Sequence, residues 1–257
     1  MGGAVLAELT VTFIGLKQGM FTFKGPVCCG EIVFDGLNVP SAAYEKVRAT
    51  TQRVDAGWLS NAFPPRQRDA HKGHFGHVLV VGGNNGFGGA VMMAAQAAGR
   101  VGAGLVSVAT RPAHVTALLT RCPEVMVHGV ESGEALQSLL ARASVIVIGP
   151  GFGQDEWSRQ LLNKVLATDV PLVVDADALN LLAQRESDLA YRENWIMTPH
   201  PGEAARLLAC STAEVQSDRF AAVRGLQQQY GGVALLKGNG TLVAGMTSSS
   251  IKLCCGG

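Results

Sequence analysis

Five stretches of this 257-residue sequence combine glycines with a few polar side chains in spacings suited to ligand chemistry. In "LLKGNGTLVAG", Lys237 stands where a β-type run gives way to a glycine turn. Its ammonium group, the backbone amides of Gly238, Asn239 and Gly240, and the Thr241 hydroxyl could together grip a phosphate group. An ordinary hairpin turn accounts for the same residues. In "TPHPGEAARLL", Pro201 suits a first helical turn and Glu203 complements the helix dipole, which fixes His200 at the helix mouth between two prolines. The spacing is HxxE, which is not the HExxH of a zinc protease, and a structural histidine is the plainer alternative. "VGGNNGFGGAVMMAAQAAGR" puts five glycines between a strand end at Val81 and a small-residue helix starting near Gly89, so that amides and a helix N-terminus can approach an anion. It matches neither the GxxxxGK[ST] nor the GxGxxG fingerprint, and a tight packing turn would look alike. "IGPGFG", residues 148–153, is a second such shelf, with Pro150 fixing one φ angle. In "VVDADALN", Asp175 and Asp177 share a face if the strand continues and could then hold a metal or a hydroxyl. Alternatively, Asp177 caps the next helix.

The elements that must position these groups follow from periodicity. From His77 onward the runs "HVLVVGG", "LVSVAT", "SVIVIGP", "PLVVDAD", "WIMTP" and "GVALLKG" alternate with helical segments, the pattern of a mainly parallel sheet covered by helices. Two glycine shelves at the carboxyl ends of parallel strands lie along the edge where open α/β sheets bind ligands. Ser211 and Glu214 form a capping box, and Phe220, Val223, Leu226 and Tyr230 continue one apolar face to Gly231 and Gly232, which predicts a single helix. The first seventy or so residues differ. "LTVTFIG" and "GEIVFDGLNVP" read as strands, and the stretch from "AYEKV" to "AHKG" as one or two helices leading into a polar connector.

Bulk properties exclude several classes. A formal net charge of +1 offers no basic surface for a phosphate backbone, so nucleic acid is not expected as a partner. Six cysteines at 28, 29, 122, 210, 254 and 255 have no CxxC spacing and fit a reducing cytoplasm. The N-terminus lacks a basic n-region and Leu6 stands where a myristoylation site wants Ser or Thr. The weakly polar stretch from Ala90 to Ala109 is interrupted by Gln96 and Arg100, so a buried helix and strand explain it better than a membrane span.

Taken together and in order, the five stretches resemble the ADP- or ATP-dependent NAD(P)H-hydrate dehydratases, from about Pro64 to Gly245, with "TPHPGEAARLL" the most specific piece. The preceding segment looks like the tail of an NAD(P)H-hydrate epimerase domain. The resemblance implies a ribokinase-like α/β fold, cytoplasmic metabolite repair and a homo-oligomer. The implied reaction is ADP-dependent dehydration of the S-form of hydrated NADH or NADPH, with Mg²⁺ accompanying the nucleotide. On the family pattern Ala90, Gly153 and His200 contact the hydrated cofactor, while Lys237, Gly238, Asn239, Gly240 and Thr241 hold the nucleotide. No residue is assigned to the metal.

The resemblance also predicts an organisation: residues 1–50 an epimerase remnant, 51–63 a connector, 64–245 an incomplete dehydratase domain and 246–257 an aberrant tail. "MTSSSIKLCCGG" has neither a helical pattern nor the family's "GGMGD" motif, whose aspartate would act as base, so a shifted reading frame or truncation is expected, with poor folding and little activity. Two alternatives share the fold class: a ribokinase-like small-molecule kinase, and a nucleotide-binding remnant without turnover.

Overall fold

Runs dense in valine and isoleucine become strands wherever a glycine, a proline or a polar pair closes them. The computed structural model describes residues 3–47, 49–63, 65–185, 191–246 and 250–255. In chain order its strands are β1 (Leu9–Phe13), β2 (Glu31–Asp35), β3 (Thr51–Arg53), β4 (His77–Val81), β5 (Leu105–Thr110) and β6 (Met126–Gly129), then β7 (Val145–Ile148), β8 (Leu172–Val174), β9 (Trp195–Met197), β10 (Val233–Leu236), β11 (Thr241–Ala244) and β12 (Ile251–Cys254). The chain forms two compact units, one of residues 65–199 and 230–232, the other of residues 1–64, 200–229 and 233–257.

The first unit holds strands in the order β9-β8-β7-β4-β5-β6, all neighbours parallel. Parallel neighbours need crossovers, and helices such as Gly88–Arg100 between β4 and β5 and Glu156–Leu166 between β7 and β8 supply them. With helices to cover both faces, the central strands can be apolar throughout: Leu79, Val80, Val81, Ile146 and Ile148 are wholly buried. Strand order reverses beside β4, since the chain steps from β4 to β5 on one side and later returns to β7 on the other. The loops after β4 and β7 therefore flank a topological switch point, the usual crevice of open α/β sheets.

In the second unit β10 and β11 form an antiparallel hairpin, β12 pairs antiparallel with β11, and β3 pairs parallel with β12. A separate parallel pair joins β1 to β2.

Four features differ from expectation. Residues 246–257, expected as an aberrant tail, contain β12, whose alternation buries Ile251 and Leu253 while Lys252 hydrogen-bonds Gln52 across the β3 pairing. Residues 51–63, expected as a connector, contain β3 and the helix Ala56–Ala62. The single helix expected from Ser211 to Tyr230 is two, Thr212–Ser217 and Arg219–Tyr230, because extended backbone at Asp218 (φ −141°, ψ 83°) breaks the first and its carboxylate accepts from Ala221 N at 2.8 Å to start the second. The fourth is β6, whose short "MVHG" run carries too little apolar periodicity to be noticed.

Candidate functional site

Within the six-stranded unit, the two glycine stretches meet edge to edge. Gly83 N donates to Pro150 O at 3.0 Å and Asn84 N to Gly151 O at 2.7 Å, so the loop after β4 is strapped to the loop after β7. Gly151 has φ +59°, and a methyl group there would stand 3.1 Å from Ala90 Cβ and 2.7 Å from Phe87 O, an approach that only glycine permits. Ala90 in the first turn of its helix and Gly153 two residues beyond Gly151 are thus brought to one small-residue shelf.

Polar side chains fix this shelf from behind. Asn84 is nearly buried and acts as a hub: its Nδ2 donates to Asp155 Oδ2 at 2.9 Å, and its Oδ1 accepts from Arg111 Nε at 2.9 Å. Arg111 also pairs with Asp155 at 3.2 Å and lies over the Trp157 ring at 4.4 Å. Asp155 caps the helix Glu156–Leu166 through Ser158 N at 3.1 Å. Burial acts to raise its pKa, but hydrogen bonds from Asn84 and Ser158 and the Arg111 charge outweigh it and hold the carboxyl below its usual range.

Asp175 and Asp177 do not share a strand face, because β8 ends at Val174 and Ala176 turns into the left-handed region at φ +49°. Nor does Asp177 cap the following helix. Its Oδ2 accepts from Gly153 N at 3.0 Å and its Oδ1 from Gln154 Nε2 at 3.2 Å, so it anchors the shelf loop. Asp175 Oδ1 accepts from Thr198 Oγ1 at 2.8 Å.

The other candidate residues gather in the second unit. His200 is the N-cap of the helix Pro201–Leu207: its Nδ1 accepts from Gly202 N at 2.9 Å, while Glu203 Oε2 accepts from His200 N at 2.8 Å, a complete capping box. An acceptor Nδ1 leaves the proton of a neutral ring on Nε2, 3.4 Å from Glu203 Oε1. The imidazole is half exposed whereas the Glu203 side chain is 5% exposed, and Lys237 Nζ stands 4.0 Å from Glu203 Oε2. One buried carboxylate therefore links His200 to the β10–β11 turn.

That turn carries the remaining predicted residues. Thr241 Oγ1 donates to Gly238 O at 3.2 Å, and Asn239 exchanges two bonds with Phe23, accepting from its N–H at 2.9 Å and donating Nδ2 to its carbonyl at 2.7 Å. Beneath the turn lies Arg219, 3% exposed, whose Nη2 is within hydrogen-bonding reach of the carbonyls of Leu236, Lys237 and Gly240. Burial lowers the pKa of its guanidinium.

A family profile described as NAD(P)H-hydrate dehydratase matches residues 78–255, which include both shelf loops, the capping box, the turn and β12. The chain belongs to the NAD(P)H-hydrate dehydratase family. Among its relatives in that family, the bifunctional NAD(P)H-hydrate repair enzyme Nnr of Coxiella burnetii is 54% identical over 242 residues, covering 94% of this chain and 49% of the relative. The chain spans about half the length of the bifunctional NAD(P)H-hydrate repair enzymes it matches. The fold is ribokinase-like. A ribokinase-like superfamily protein from Enterococcus faecalis superposes with a TM-score of 0.73 at 32% identity, covering 81% of this chain and 72% of that one. An ADP/ATP-dependent NAD(P)H-hydrate dehydratase from Bacillus subtilis, co-crystallized with ATP and Mg²⁺, gives 0.68 at 28%, covering 78% and 71%. Sequence reading of this NAD(P)H-hydrate dehydratase family member passed over Asn84, Arg111, Asp155 and Arg219. The one available signal was Arg219 itself, standing at helical spacing between Val215 and Val223 on an otherwise apolar face.

Proposed function

We propose that this chain carries the dehydration site of an ADP-dependent NAD(P)H-hydrate dehydratase acting on the S-form of hydrated NADH or NADPH. The observation that carries the reading is the turn Lys237–Thr241 coupled through buried Glu203 to the His200 capping box, in a chain of this family. Lys237 and the turn hold the nucleotide phosphates. His200, Ala90 and Gly153 contact the hydrated cofactor.

The terminal phosphoryl group of the nucleotide passes to the hydroxyl on the reduced nicotinamide ring. The C–O bond then breaks with phosphate as leaving group and a ring proton is lost, so hydrated NADPH and ADP yield NADPH, AMP and phosphate. Such chemistry is mainly positioning and charge stabilisation. Half-exposed His200, with Nε2–H directed to Glu203, is suited to orienting the hydroxyl-bearing ring rather than to receiving its proton. On the family resemblance, the base is the aspartate of a "GGMGD" motif. Among the described residues no three His, Cys, Asp or Glu side chains group to hold a metal. A Mg²⁺ coordinated largely by nucleotide phosphates and water suits such a protein surface. Among the described residues no helix is long and apolar enough to cross a membrane. On the family resemblance we place the chain in the cytoplasm, as a homo-oligomer.

Equilibrium titrations test the assignment. Lys237→Ala should weaken ADP while leaving hydrated NADPH, and His200→Ala should weaken hydrated NADPH while leaving ADP. Binding of both ligands unaffected by either change would refute it.

A further inference from the structure

We propose that Arg219 is a positioning residue for nucleotide recognition: from beneath the β10–β11 turn it draws the turn's carbonyls inward and thereby aims the turn's amides at the nucleotide phosphates. The inference rests on reading Lys237–Thr241 as the nucleotide site.

The geometry is specific. Arg219 Nη2 lies 3.4 Å from Leu236 O, 3.2 Å from Lys237 O and 3.1 Å from Gly240 O, carbonyls from both ends of the turn. A trans peptide unit is planar, with its N–H antiparallel to its C=O. Pulling the Lys237 carbonyl towards the guanidinium therefore turns the N–H of Gly238, in the same peptide unit, away from it. Successive amides turned outward at such a loop make an anion-binding nest. Gly238 completes the fit: at φ +137°, a methyl group there would stand 2.9 Å from Arg219 Nη1 and 3.1 Å from Nη2, so the guanidinium packs directly under its Cα.

Fold stability alone does not explain an arginine here. Its side-chain contacts are carbonyl oxygens and Gln216 Oε1 at 3.1 Å, with no carboxylate in ion-pair range among the described residues. Its Nε is buried without a hydrogen-bond partner among them. A buried cation with an unmet donor costs stability, whereas a well-packed apolar residue would not. What arginine adds is a long side chain with two donor nitrogens: Nη2 reaches both ends of the turn while Nη1 stays on Gln216.

The test is calorimetric titration of ADP, and separately of hydrated NADPH, into the wild-type chain, Arg219→Met and Arg219→Lys. Arg219→Met should weaken ADP by about tenfold or more, the equivalent of one hydrogen bond to a charged group. Arg219→Lys should lie between, because a single ammonium on a shorter side chain keeps the charge beneath the turn but cannot also hold Gln216. Affinity for hydrated NADPH should stay within about twofold, and should Arg219→Met fail to fold, the lysine variant decides. ADP affinity unchanged in the variants, or ADP and hydrated NADPH lost in parallel, would overturn the inference, as would a wild-type chain that binds no ADP. Wild-type binding of ADP without any dehydration would instead contradict the reaction and leave the role of Arg219 standing.

Discussion

Asp155 illustrates how single residues carry the shelf. Its carboxylate caps a helix, accepts from Asn84 and pairs with Arg111, and its pKa lies below the ordinary 3.8. A depressed carboxylate stabilises the fold above its ordinary titration range and loses that contribution as pH falls through the lowered value. The melting temperature of wild type should therefore exceed that of Asp155→Asn at neutral pH, with the gap narrowing below about pH 4; a constant gap across that range would contradict the assignment. Gly238→Ala forces alanine into a left-handed φ and against Arg219, so it should cost about 1–3 kcal/mol of stability, read from denaturant midpoints, and weaken ADP as well. His200, Gly153 and Lys237 were visible as candidates in the sequence because prolines and glycines frame them locally. Asn84, Arg111 and Asp155 were not, because their partners lie 27, 44 and 71 residues apart in the chain, and no local pattern reports such a meeting.

Elements were legible where pattern and punctuation agreed. Six β-branched runs from His77 onward became β4, β5, β7, β8, β9 and β10, each closed by glycine, proline or a helix start. The Ser211 capping box was also found where the sequence put it, and Ser211→Ala should cost about 1 kcal/mol, measured by chemical denaturation. The break at Asp218 went unseen because the apolar spacing on either side of it stays in phase for a helix. Strand β12 was missed for a different reason. Its Ile251–Lys252–Leu253 alternation spans only one period, and its stability comes from pairing with β11 and β3 rather than from local propensity. Leu253, 2% exposed, lies in that strand, and Leu253→Ala should destabilise by about 2–5 kcal/mol; a change below about 1 kcal/mol would mean that β12 is not packed as described.

At the scale of the molecule, the parallel order β9-β8-β7-β4-β5-β6 sets two glycine loops at a switch point, while the β10–β11 turn and the His200 cap share a buried carboxylate. The fold class was readable because alternating strand and helix periods leave few alternatives. The order of the strands was not, since nothing local states that β4 lies between β5 and β7. The function rests on family membership joined to this geometry, and one measurement bears on it most directly. The chain would be incubated with hydrated NADPH and Mg²⁺, with and without ADP, while the near-ultraviolet absorbance of the dihydronicotinamide ring is followed. The account predicts an ADP-dependent return of NADPH absorbance with AMP and phosphate formed in equal amounts, lost in Lys237→Ala. No ADP-dependent return, or a stable phosphorylated product in its place, would contradict it.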